Sequence, residues 1–544
     1  MDKIPPEVIA TSPPPGATGI DVRTVVTVNF NEWMENKSLK ESIFISPIPK
    51  SPPKIKLKGK KIEIDFVDGL DLNQTYVITV GTGAKDLHNN GMRSSFTFAF
   101  STGEQIDKGR ISGRIVSPDE DVEGVFVWAY ASKNRAEPDP ARHPPDYVTQ
   151  AAAFGFYSFS YLMPGRYRLF ALRDADGDGK YTVEQDALGV PTGDVLLSPE
   201  RLEVENVDYM LTVQDTTRPE FVSVVVPDRM HVDLKFSEAL EPESMGTIRM
   251  TSSARHVPVE IRAVSVDRND RSLYHVLTEV QHPGRAYEVN CCGVRDAAGN
   301  HVASEACTLS FVGSAVPDTS GPRIVATEPQ DSALRVPLEV EIEWAFSEAM
   351  DTTDFVDAFT LKNVDGRVIS GILTWPNLAS CVFIPHQALR GRSQYVLTVD
   401  STKVSDWAGN RLRGAGTELS FMTRNPDTLG YISGTLIDED SSASGQLFVS
   451  AESLTGAQPP VRTVLSQPDD YELRNLMPGW YRVWAFRDED GNGGYSHGCP
   501  FPIAFAERFA WYPDSIEVRS RWETQAIDLV LRERNRSDTD GANP

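Results

Sequence analysis

An acidic segment at residues 174–181 has the residue types and spacing best suited to bind a metal ion. Aspartates occupy its first, third and fifth positions and glycines its fourth and sixth, in the order Asp174, Asp176, Gly177, Asp178 and Gly179. Calcium takes about six to eight oxygen ligands, and in known loops a glycine at the sixth position makes the sharp turn. The twelfth position is Gln185, with an acid on either side. The segment is either an acidic reversal after a strand or a calcium site. In the second case the ligands would be Asp174, Asp176, Asp178, Glu184 and Asp186.

A second acidic segment, at residues 488–495, repeats most of this pattern. Its corresponding residues are Asp488, Asp490, Gly491, Asn492 and Gly493. Asparagine replaces the third aspartate and no carboxylate follows at the right distance, so the calcium prediction is weaker here, with Asp488, Asp490 and Asn492 as ligands. Both segments follow a strand in two copies of one repeat. The loop shape can therefore belong to the repeat and does not by itself require a metal.

Sequence motifs of enzymes are missing from the chain. It has no HExxH, no GxSxG and no glycine-rich phosphate loop, and its nine histidines are scattered. One acidic residue recurs after a strand in three copies of another repeat, as Glu32, Glu238 and Glu348. These glutamates lie in different domains and cannot act as a pair of catalytic carboxylates, so we interpret them as structural turn residues. The chain is predicted not to be an enzyme.

The net charge argues against one class of partner. The 544 residues include 53 lysines and arginines against 77 aspartates and glutamates, which gives a formal net charge of −24. Such a chain repels nucleic acid and anionic lipid, whereas its carboxylates attract cations. No apolar run approaches the ~18 residues of a membrane-spanning helix. We therefore predict no nucleic-acid partner and no transmembrane segment in this chain.

Three copies of one repeat contain most of the strand signals. Each copy opens with a proline and a β-branched run and continues with an alternating strand that ends in an acidic residue. It closes with a tyrosine-led strand, an Asp/Gly/Asn turn and a last strand. The openings start at Pro6, Pro219 and Pro322, and the closing strands start at Tyr76, Tyr287 and Tyr395. Alternation with a period of two buries one face of each strand, and such strands between turn signals are typical of a β-sandwich.

A second repeat occurs twice. It begins with an Ile-Ser-Gly strand at Ile111 or Ile432 and reaches a Leu-Met-Pro-Gly segment at Leu162 or Leu476. Proline fixes φ at one turn position and glycine supplies a positive φ at the next, so Pro-Gly predicts a type II turn between antiparallel strands. The strand after this turn leads into the acidic loop. These features predict a second kind of β-sandwich.

The ends of the repeats divide the chain into five modules and a tail. Module 1 is residues 1–105, module 2 is 106–215, module 3 is 216–316, module 4 is 317–427, module 5 is 428–532, and the tail is 533–544. The polar tail is predicted to be disordered. Since the connecting segments are short, we expect an all-β fold of five tandem sandwiches in an elongated array.

The five cysteines have two interpretations. They stand at positions 291, 292, 307, 381 and 499, without the spacing of zinc ligands. They are either small buried apolar side chains or include a bridge from Cys291 or Cys292 to Cys307 across neighbouring strands. The sequence leaves this choice, and with it the disulfide state, open.

A group of aromatic residues in module 2 is a candidate binding surface. The group consists of Trp128, Tyr130, Phe156, Tyr157, Phe159 and Tyr161. Alternation buries about half of such residues. The others would either pair across strands or form an exposed strip for carbohydrate or protein.

Both repeats resemble known bacterial modules. The proline-led opening, the Phe-Ser-Glu strand end and the Tyr…Asp-x-x-Gly-Asn closing of modules 1, 3 and 4 resemble the SbsA-type Ig-like domain. Module 1 departs from this pattern with Asn31-Glu32 and Asn90-Gly91. The Leu-x-Pro-Gly-x-Tyr segment of modules 2 and 5 is similar to carboxypeptidase-regulatory or Cna-B sandwiches of the transthyretin-like class.

The resemblance implies a location and a function. Proteins that begin with this Ig-like unit are commonly surface lipoproteins of Gram-negative bacteria, in which a lipidated cysteine precedes the first domain. No cysteine and no apolar leader precede module 1, so the expectation is a protein of the cell envelope or outer surface whose leader is missing here. Its function would be structural or adhesive, with a surface protein or polysaccharide as partner. The alternative is a carbohydrate- or protein-binding accessory protein of a secretion or polymer-degradation system. The oligomeric state is not predicted.

Overall fold

The computed structural model describes residues 3–118, 121–253, 256–353, 355–414 and 417–534. The regular secondary structure of these residues is almost entirely β-strand, with two short α-helices and three 3₁₀ helices. The all-β prediction is confirmed. The predicted disordered tail lies outside the described residues from position 535 onward.

Modules 1, 3 and 4 each consist of two antiparallel or mixed sheets. In module 1 the elements are β1 (Val8–Ser12), β2 (Val26–Phe30), α1 (Asn36–Glu41), β3 (Ile43–Ser46), β4 (Lys54–Lys58), β5 (Lys61–Asp65), β6 (Thr75–Val80) and β7 (Phe96–Ser101). The sheet orders are β1-β2-β5-β4 and β3-β6-β7.

Modules 2 and 5 share a second topology, and module 2 gives its first copy. Its strands are β8 (Gly109–Val116), β9 (Phe126–Ala131), β10 (Tyr147–Gln150), β11 (Phe156–Leu162), β12 (Gly165–Arg173), β13 (Ala187–Gly189), β14 (Val195–Leu197), β15 (Glu203–Val204), β16 (Tyr209–Met210) and β17 (Thr212–Val213), with a 3₁₀ helix at Ala153–Gly155. One sheet has the order β11-β8-β15 and the other β10-β9-β12-β13-β17; β16 pairs with β8 and β14 with β12.

Module 3 repeats the strand order of module 1. Its strands are β18 (Phe221–Val225), β19 (His231–Phe236), β20 (Arg249–Ser252), β21 (Val257–Pro258), β22 (Ile261–Val266), β23 (Leu273–Thr278), β24 (Ala286–Asn290) and β25 (Thr308–Val312), with a 3₁₀ helix at Pro242–Thr247. The sheet orders are β18-β19-β23-β22 and β21-β20-β24-β25.

Module 4 has the same central arrangement, but one edge strand of its second sheet comes from a different part of the module. Its elements are β26 (Ile324–Glu328), β27 (Ala333–Val336), β28 (Ile342–Phe346), α2 (Phe355–Ala358), β29 (Phe359–Asn363), β30 (Gly371–Asn377), β31 (Ser380–Pro385), β32 (Gln394–Val399) and β33 (Glu418–Thr423), with a 3₁₀ helix at Pro426–Thr428. The sheet orders are β26-β28-β31-β30 and β27-β33-β32-β29.

Module 5 repeats the topology of module 2. Its strands are β34 (Gly430–Asp438), β35 (Gln446–Ser453), β36 (Val461–Leu465), β37 (Asp470–Leu476), β38 (Gly479–Asp488), β39 (Phe509–Trp511), β40 (Ile516–Val518), β41 (Glu523–Thr524) and β42 (Leu529–Leu531). One sheet has the order β37-β34-β41 and the other β36-β35-β38-β39; β42 pairs with β34 and β40 with β38. Among the described residues, every sheet lies within one module.

The period-two pattern explains why these strands form. In β2, Val26, Val28 and Phe30 are at most 1% exposed, whereas Thr27 and Asn29 between them are partly exposed. Complete burial of such a side chain contributes about 1.5–3 kcal/mol, so a strand is stable only with this face in the core. The central strands of every module follow the same rule.

The Pro-Gly turn differs from the predicted type II geometry. Gly165 and Gly479 have φ of +159° and +157°, close to extended backbone, and each begins the following strand. The left-handed residues lie earlier, at Tyr161 and Asn475, each with φ of +63°. Asparagine tolerates this conformation, whereas it costs more for tyrosine.

The chain forms two compact units. The first contains residues 1–214 and 430–544, and the second contains residues 215–429. In the first unit, module 5 packs on module 2, where Val116 and Met210 meet Trp484, Phe486 and Phe509. This packing joins two modules that are far apart in sequence. If each module touched only its neighbours in the chain, modules 2 and 5 would not be in contact.

Cysteine pairing is decided just beyond the end of β24. Cys292 and Cys307 form a disulfide, while Cys291 is a buried thiol in the core of module 3. Cys291 lies opposite Cys307 and donates its N–H to Cys307 O at 2.8 Å, whereas Cys292, in the turn that follows, supplies the bonded sulfur. Cys381 is also buried, and burial raises the pKa of the Cys291 and Cys381 thiols to about 12.

Candidate metal centre

The first acidic loop follows β12 and folds around its leading aspartate. Asp174 Oδ1 accepts hydrogen bonds from the backbone N–H groups of Gly177 (2.8 Å) and Asp178 (3.2 Å). Its Oδ2 accepts one from Gly179 N–H at 2.8 Å. Gly177 and Gly179 have φ of +74° and +76°, which side-chain-bearing residues rarely adopt. The alternating Asp and Gly residues therefore make a tight loop whose carboxylates converge.

Three of the five predicted ligands come together in this loop. Oxygens of Asp174, Asp176 and Asp178 lie within 4.8 Å of one another, a separation that fits around a calcium ion with Ca–O distances of about 2.3–2.6 Å. Asp186 is fully buried and accepts hydrogen bonds from Ala175 N–H (2.8 Å) and Thr182 N–H (2.7 Å). Asp186 thus holds the loop closed from inside, and Glu184 is exposed outside the three-carboxylate group.

The second acidic loop follows β38 with the same hydrogen bonds. Asp488 Oδ1 accepts from Gly491 N–H (2.7 Å) and Asn492 N–H (3.1 Å), and its Oδ2 accepts from Gly493 N–H (2.9 Å). The two loops therefore have one backbone shape. The side-chain amide of Asn492 donates to Asp490 Oδ2 at 3.0 Å and so holds the Asp490 carboxylate in place.

A ligand that sequence reasoning missed completes this second group. Glu507 lies well beyond the loop in the chain, yet its carboxylate lies within 4.8 Å of oxygens of Asp488 and Asp490. It is 3% exposed and accepts hydrogen bonds from Glu489 N–H (2.7 Å) and Ser496 N–H (3.0 Å). Burial and the nearby Asp490 raise the pKa of Glu507 despite these bonds. No local spacing signals this residue, because the intervening segment leaves and returns to the sheet.

Both groups offer hard oxygen ligands, which suit calcium better than they suit softer metals. Each brings together three carboxylates, and cooperative backbone hydrogen bonds orient the leading aspartate of each loop. These bonds also hold the loops in shape without an ion. A calcium-dependent melting temperature therefore distinguishes a metal site from a purely structural turn.

Calcium is expected to raise the melting temperature of the full chain by a few degrees relative to a chelator. A site at 100 times its Kd adds about 2.7 kcal/mol to the folded state. Asp176→Asn and Asp490→Asn should each remove part of the shift, because each removes one ligand charge from one loop. Asp121→Asn is the matched control, since Asp121 forms a similar turn by accepting from Glu123 N–H. Equal melting curves in calcium and chelator would contradict a metal role for both loops.

The aromatic group of module 2 divides between core and surface. Trp128, Tyr130, Tyr157 and Phe159 are at most 5% exposed. Phe156 and Tyr161 are 56% and 37% exposed and line an open groove of about 1310 Å³ in the first unit. Arg114 stacks over the Phe156 ring at 5.3 Å. The exposed rings are thus available to a partner.

Two segments of the chain match the family model of the bacterial Ig-like domain, at residues 2–102 and 318–423. These two parts of the chain are thus similar to the bacterial Ig-like domain. The matched segments correspond to modules 1 and 4, and module 3 shares their strand order. No curated protein sequence matches this chain.

Several solved structures are similar in fold alone. The N-terminal part of the bacterial S-layer protein SbsC is 13% identical, with 38% of this chain and 44% of that chain covered and a TM-score of 0.17. This chain therefore spans less than half of that protein's length. Domains 1–6 of SbsC are 10% identical over 95% of this chain and 67% of that chain, with a TM-score of 0.15. L,D-transpeptidase 1 of Mycobacterium tuberculosis is 12% identical over 33% and 83%, with a TM-score of 0.17.

Helices in the described part of the chain are all too short and too polar to cross a membrane.

Proposed function

We propose that this chain is a structural protein of the bacterial cell surface, built from Ig-like and transthyretin-like sandwich modules. The observation that carries the proposal is the match of modules 1 and 4 to the bacterial Ig-like domain. Modules of this kind serve mainly as spacers and attachment units, although a fold alone does not determine a function. Modules 2 and 5 belong, in this proposal, to the carboxypeptidase-regulatory or Cna-B class that their sequences resemble.

The packing in the first unit supports a mechanical role. Module 5 contacts module 2 through apolar side chains and also through polar groups. Ala506 N–H donates to Pro191 O at 3.0 Å, Gln214 donates from its side chain to Gly498 O at 3.2 Å, and Arg168 stacks on the Phe505 ring at 5.3 Å. An interface of this mixed kind resists bending between modules more than a short linker does. The proposed role is to hold surface components at a defined spacing.

The alternative function, a carbohydrate- or protein-binding accessory protein, would use the exposed rings of Phe156 and Tyr161 in the groove of the first unit. Tyr161 adopts the left-handed conformation that Asn475 occupies in module 5, at a conformational cost that a binding role would explain. Retention of the chain on an insoluble polysaccharide is the measurement that favours this alternative.

Antibodies raised against the chain are expected to label intact cells of the source bacterium. Protease treatment of intact cells should remove the label, because a surface protein is accessible without lysis. An antibody against a cytosolic protein, which should label permeabilised cells alone, is the control. Labelling that requires permeabilisation, with protection from external protease, would contradict the proposed location.

A further inference from the structure

A separate cluster of ionisable side chains lies in the second unit, where modules 3 and 4 meet. Its members are Asp228, His231, Asp318, Glu348 and Asp406. Asp228 and His231 come from module 3, and Glu348 and Asp406 come from module 4. Asp318 also belongs to module 4 and precedes its first strand. Both modules therefore contribute to one place.

Asp318 links two overlapping groups. Ligand atoms of Asp318, Glu348 and Asp406 lie within 4.8 Å of one another, and so do those of Asp228, His231 and Asp318. The Asp318 side chain is 4% exposed. Its Oδ1 accepts from Ser320 N–H at 2.9 Å, whereas its Oδ2 is buried without a hydrogen-bond partner, 4.0 Å from His231 Nδ1. A buried charged oxygen without a partner is costly and points to an absent ligand.

The neighbouring carboxylates are held in position. Asp406 accepts from the backbone and the side-chain N–H groups of Asn410, both at 2.9 Å, and Asn410 also contacts Asp318 O at 3.4 Å. Asp228 Oδ2 shares a 2.8 Å hydrogen bond with His231 Nδ1. Asp228 Oδ1 also accepts from the N–H groups of Met230 (2.7 Å) and His231 (2.9 Å). The arrangement is preorganised, which lowers the conformational cost of binding.

Negative charge exceeds positive charge in this cluster. Four carboxylates face one imidazole, and within the described residues no lysine or arginine forms an ion pair with any of them. Glu348 has no hydrogen-bond partner in the described part of the chain. Its carboxylate lies within 4.8 Å of those of Asp318 and Asp406, so three negative groups are close together. A divalent cation would relieve this repulsion.

We propose that Asp318, Glu348 and Asp406 bind a divalent cation of the calcium type, with the Asp228–His231 pair beside it. The donors are oxygens at separations that suit Ca–O bonds of about 2.3–2.6 Å. Because the Asp228–His231 pair of module 3 lies beside these module 4 ligands, the cation fixes the joint within the second unit. There Met230 and Leu277 pack against Ala349, and Arg262 lies over the Trp407 ring at 4.9 Å.

The same three positions recur in the other Ig-like modules. Module 3 brings together Asp215, Glu238 and Asp296, and Asn300 donates to Asp215 O at 3.2 Å, as Asn410 does to Asp318 O. In all three copies an aspartate stands four residues before the opening proline: Asp2 and Pro6, Asp215 and Pro219, Asp318 and Pro322. Asp2 lies outside the described residues. Glu348, which the sequence alone suggested to be a turn residue, is in this proposal a cation ligand beside Asp318. The proposal is confined to the joint of modules 3 and 4, since Asp215 is exposed.

Terbium luminescence in the full chain tests this site directly. Tb³⁺ occupies oxygen-rich calcium sites and emits when a nearby tryptophan is excited, and Trp407 adjoins the ligand Asp406. The equivalent residues in modules 1 and 3 are Leu87 and Ala297, so Trp407 reports on this joint. We expect Tb³⁺ emission that calcium displaces, and a reduced emission in Trp407→Phe with calcium affinity unchanged.

Asp318→Asn and Glu348→Gln should each lower the calcium affinity, measured by displacement of this emission, by at least about tenfold, since each removes one ligand charge. Glu341→Gln is the matched control, because Glu341 is exposed near the same strand and makes no contact with the cluster. Circular dichroism checks that each variant is folded. One folded ligand variant is enough for the test. Emission that is equal in wild type and Trp407→Phe, with calcium binding unchanged in a folded Asp318→Asn or Glu348→Gln, would overturn the proposal. A failure of surface labelling would leave this result unaffected, because the site does not depend on location.

Discussion

Asp438→Ala is expected to lower the free energy of unfolding of the first unit by about 3–5 kcal/mol, because it removes the buried carboxylate that pairs with two buried arginines. The Asp438 side chain is 1% exposed, and those of Arg487 and Arg508 are 6% and 3% exposed. Arg487 Nε donates to Asp438 Oδ2 at 2.8 Å. Arg508 donates to both carboxylate oxygens, at 2.6 Å and 3.0 Å. One aspartate therefore pairs with two guanidinium groups inside module 5, and Arg508 also pairs with Glu489 at 3.3 Å.

Chemical unfolding of the full chain measures this loss. Glu517→Ala is the control, because the Glu517–Arg519 pair is on the surface of the same module, with side chains 41% and 71% exposed. A surface pair contributes about 0–1 kcal/mol. Similar losses in the two variants would show that the buried network contributes no more than an exposed pair.

The same network adds a dependence on pH. Burial alone would raise the pKa of Asp438, but the hydrogen bonds from Arg508 and Arg487 outweigh it and hold this pKa below its usual value. A carboxylate with a depressed pKa in the folded state stabilises above the unfolded pKa of about 3.9 and loses that contribution as pH falls through the folded value. Acid unfolding should therefore be less steep in Asp438→Ala than in the wild type.

Gly434→Ala is expected to destabilise module 5 by about 3 kcal/mol, the upper end of the usual cost of overpacking. A Cβ at this position would lie 2.0 Å from Ile527 O and 2.5 Å from Ile527 C. Both are backbone atoms, so no side-chain rotation relieves the clash. The C-terminal strands β41 and β42 pair in parallel with β34 on either side of this point. The substitution would push them away from the sheet.

Module 2 provides an independent copy of this test. Gly113 occupies the same place in the Ile-Ser-Gly strand, and a Cβ there would lie 2.0 Å from Val207 O. Gly113→Ala should therefore cost as much as Gly434→Ala. Gly193→Ala is the control, since no atom lies within 4 Å of its added Cβ. If Gly113→Ala and Gly434→Ala both melted at the temperature of the wild type, the close approach of Val207 O and Ile527 O to these glycines would be refuted.

Local patterns in the sequence predicted most of the strands and the acidic turns. The alternation of Val26, Val28 and Phe30 acts within one strand, and the Asp and Gly residues of the acidic loops act within one turn. Such features depend on neighbours in the chain, so they can be recognised without knowledge of the fold. The Pro-Gly turn failed as a local prediction because the left-handed position fell on Tyr161 and Asn475, where the bulge before the turn requires it.

The sequence by itself determined the all-β class, the two kinds of repeat and the places where acidic residues accumulate, because these follow from side-chain period and turn chemistry. Tertiary structure alone decided which of those residues meet. It brought Glu507 to the loop at Asp488, placed Asp318 between Glu348 and Asp406, and joined module 5 to module 2. The physical reason is that contacts between distant segments depend on how whole sheets pack, and no spacing along the chain encodes that distance.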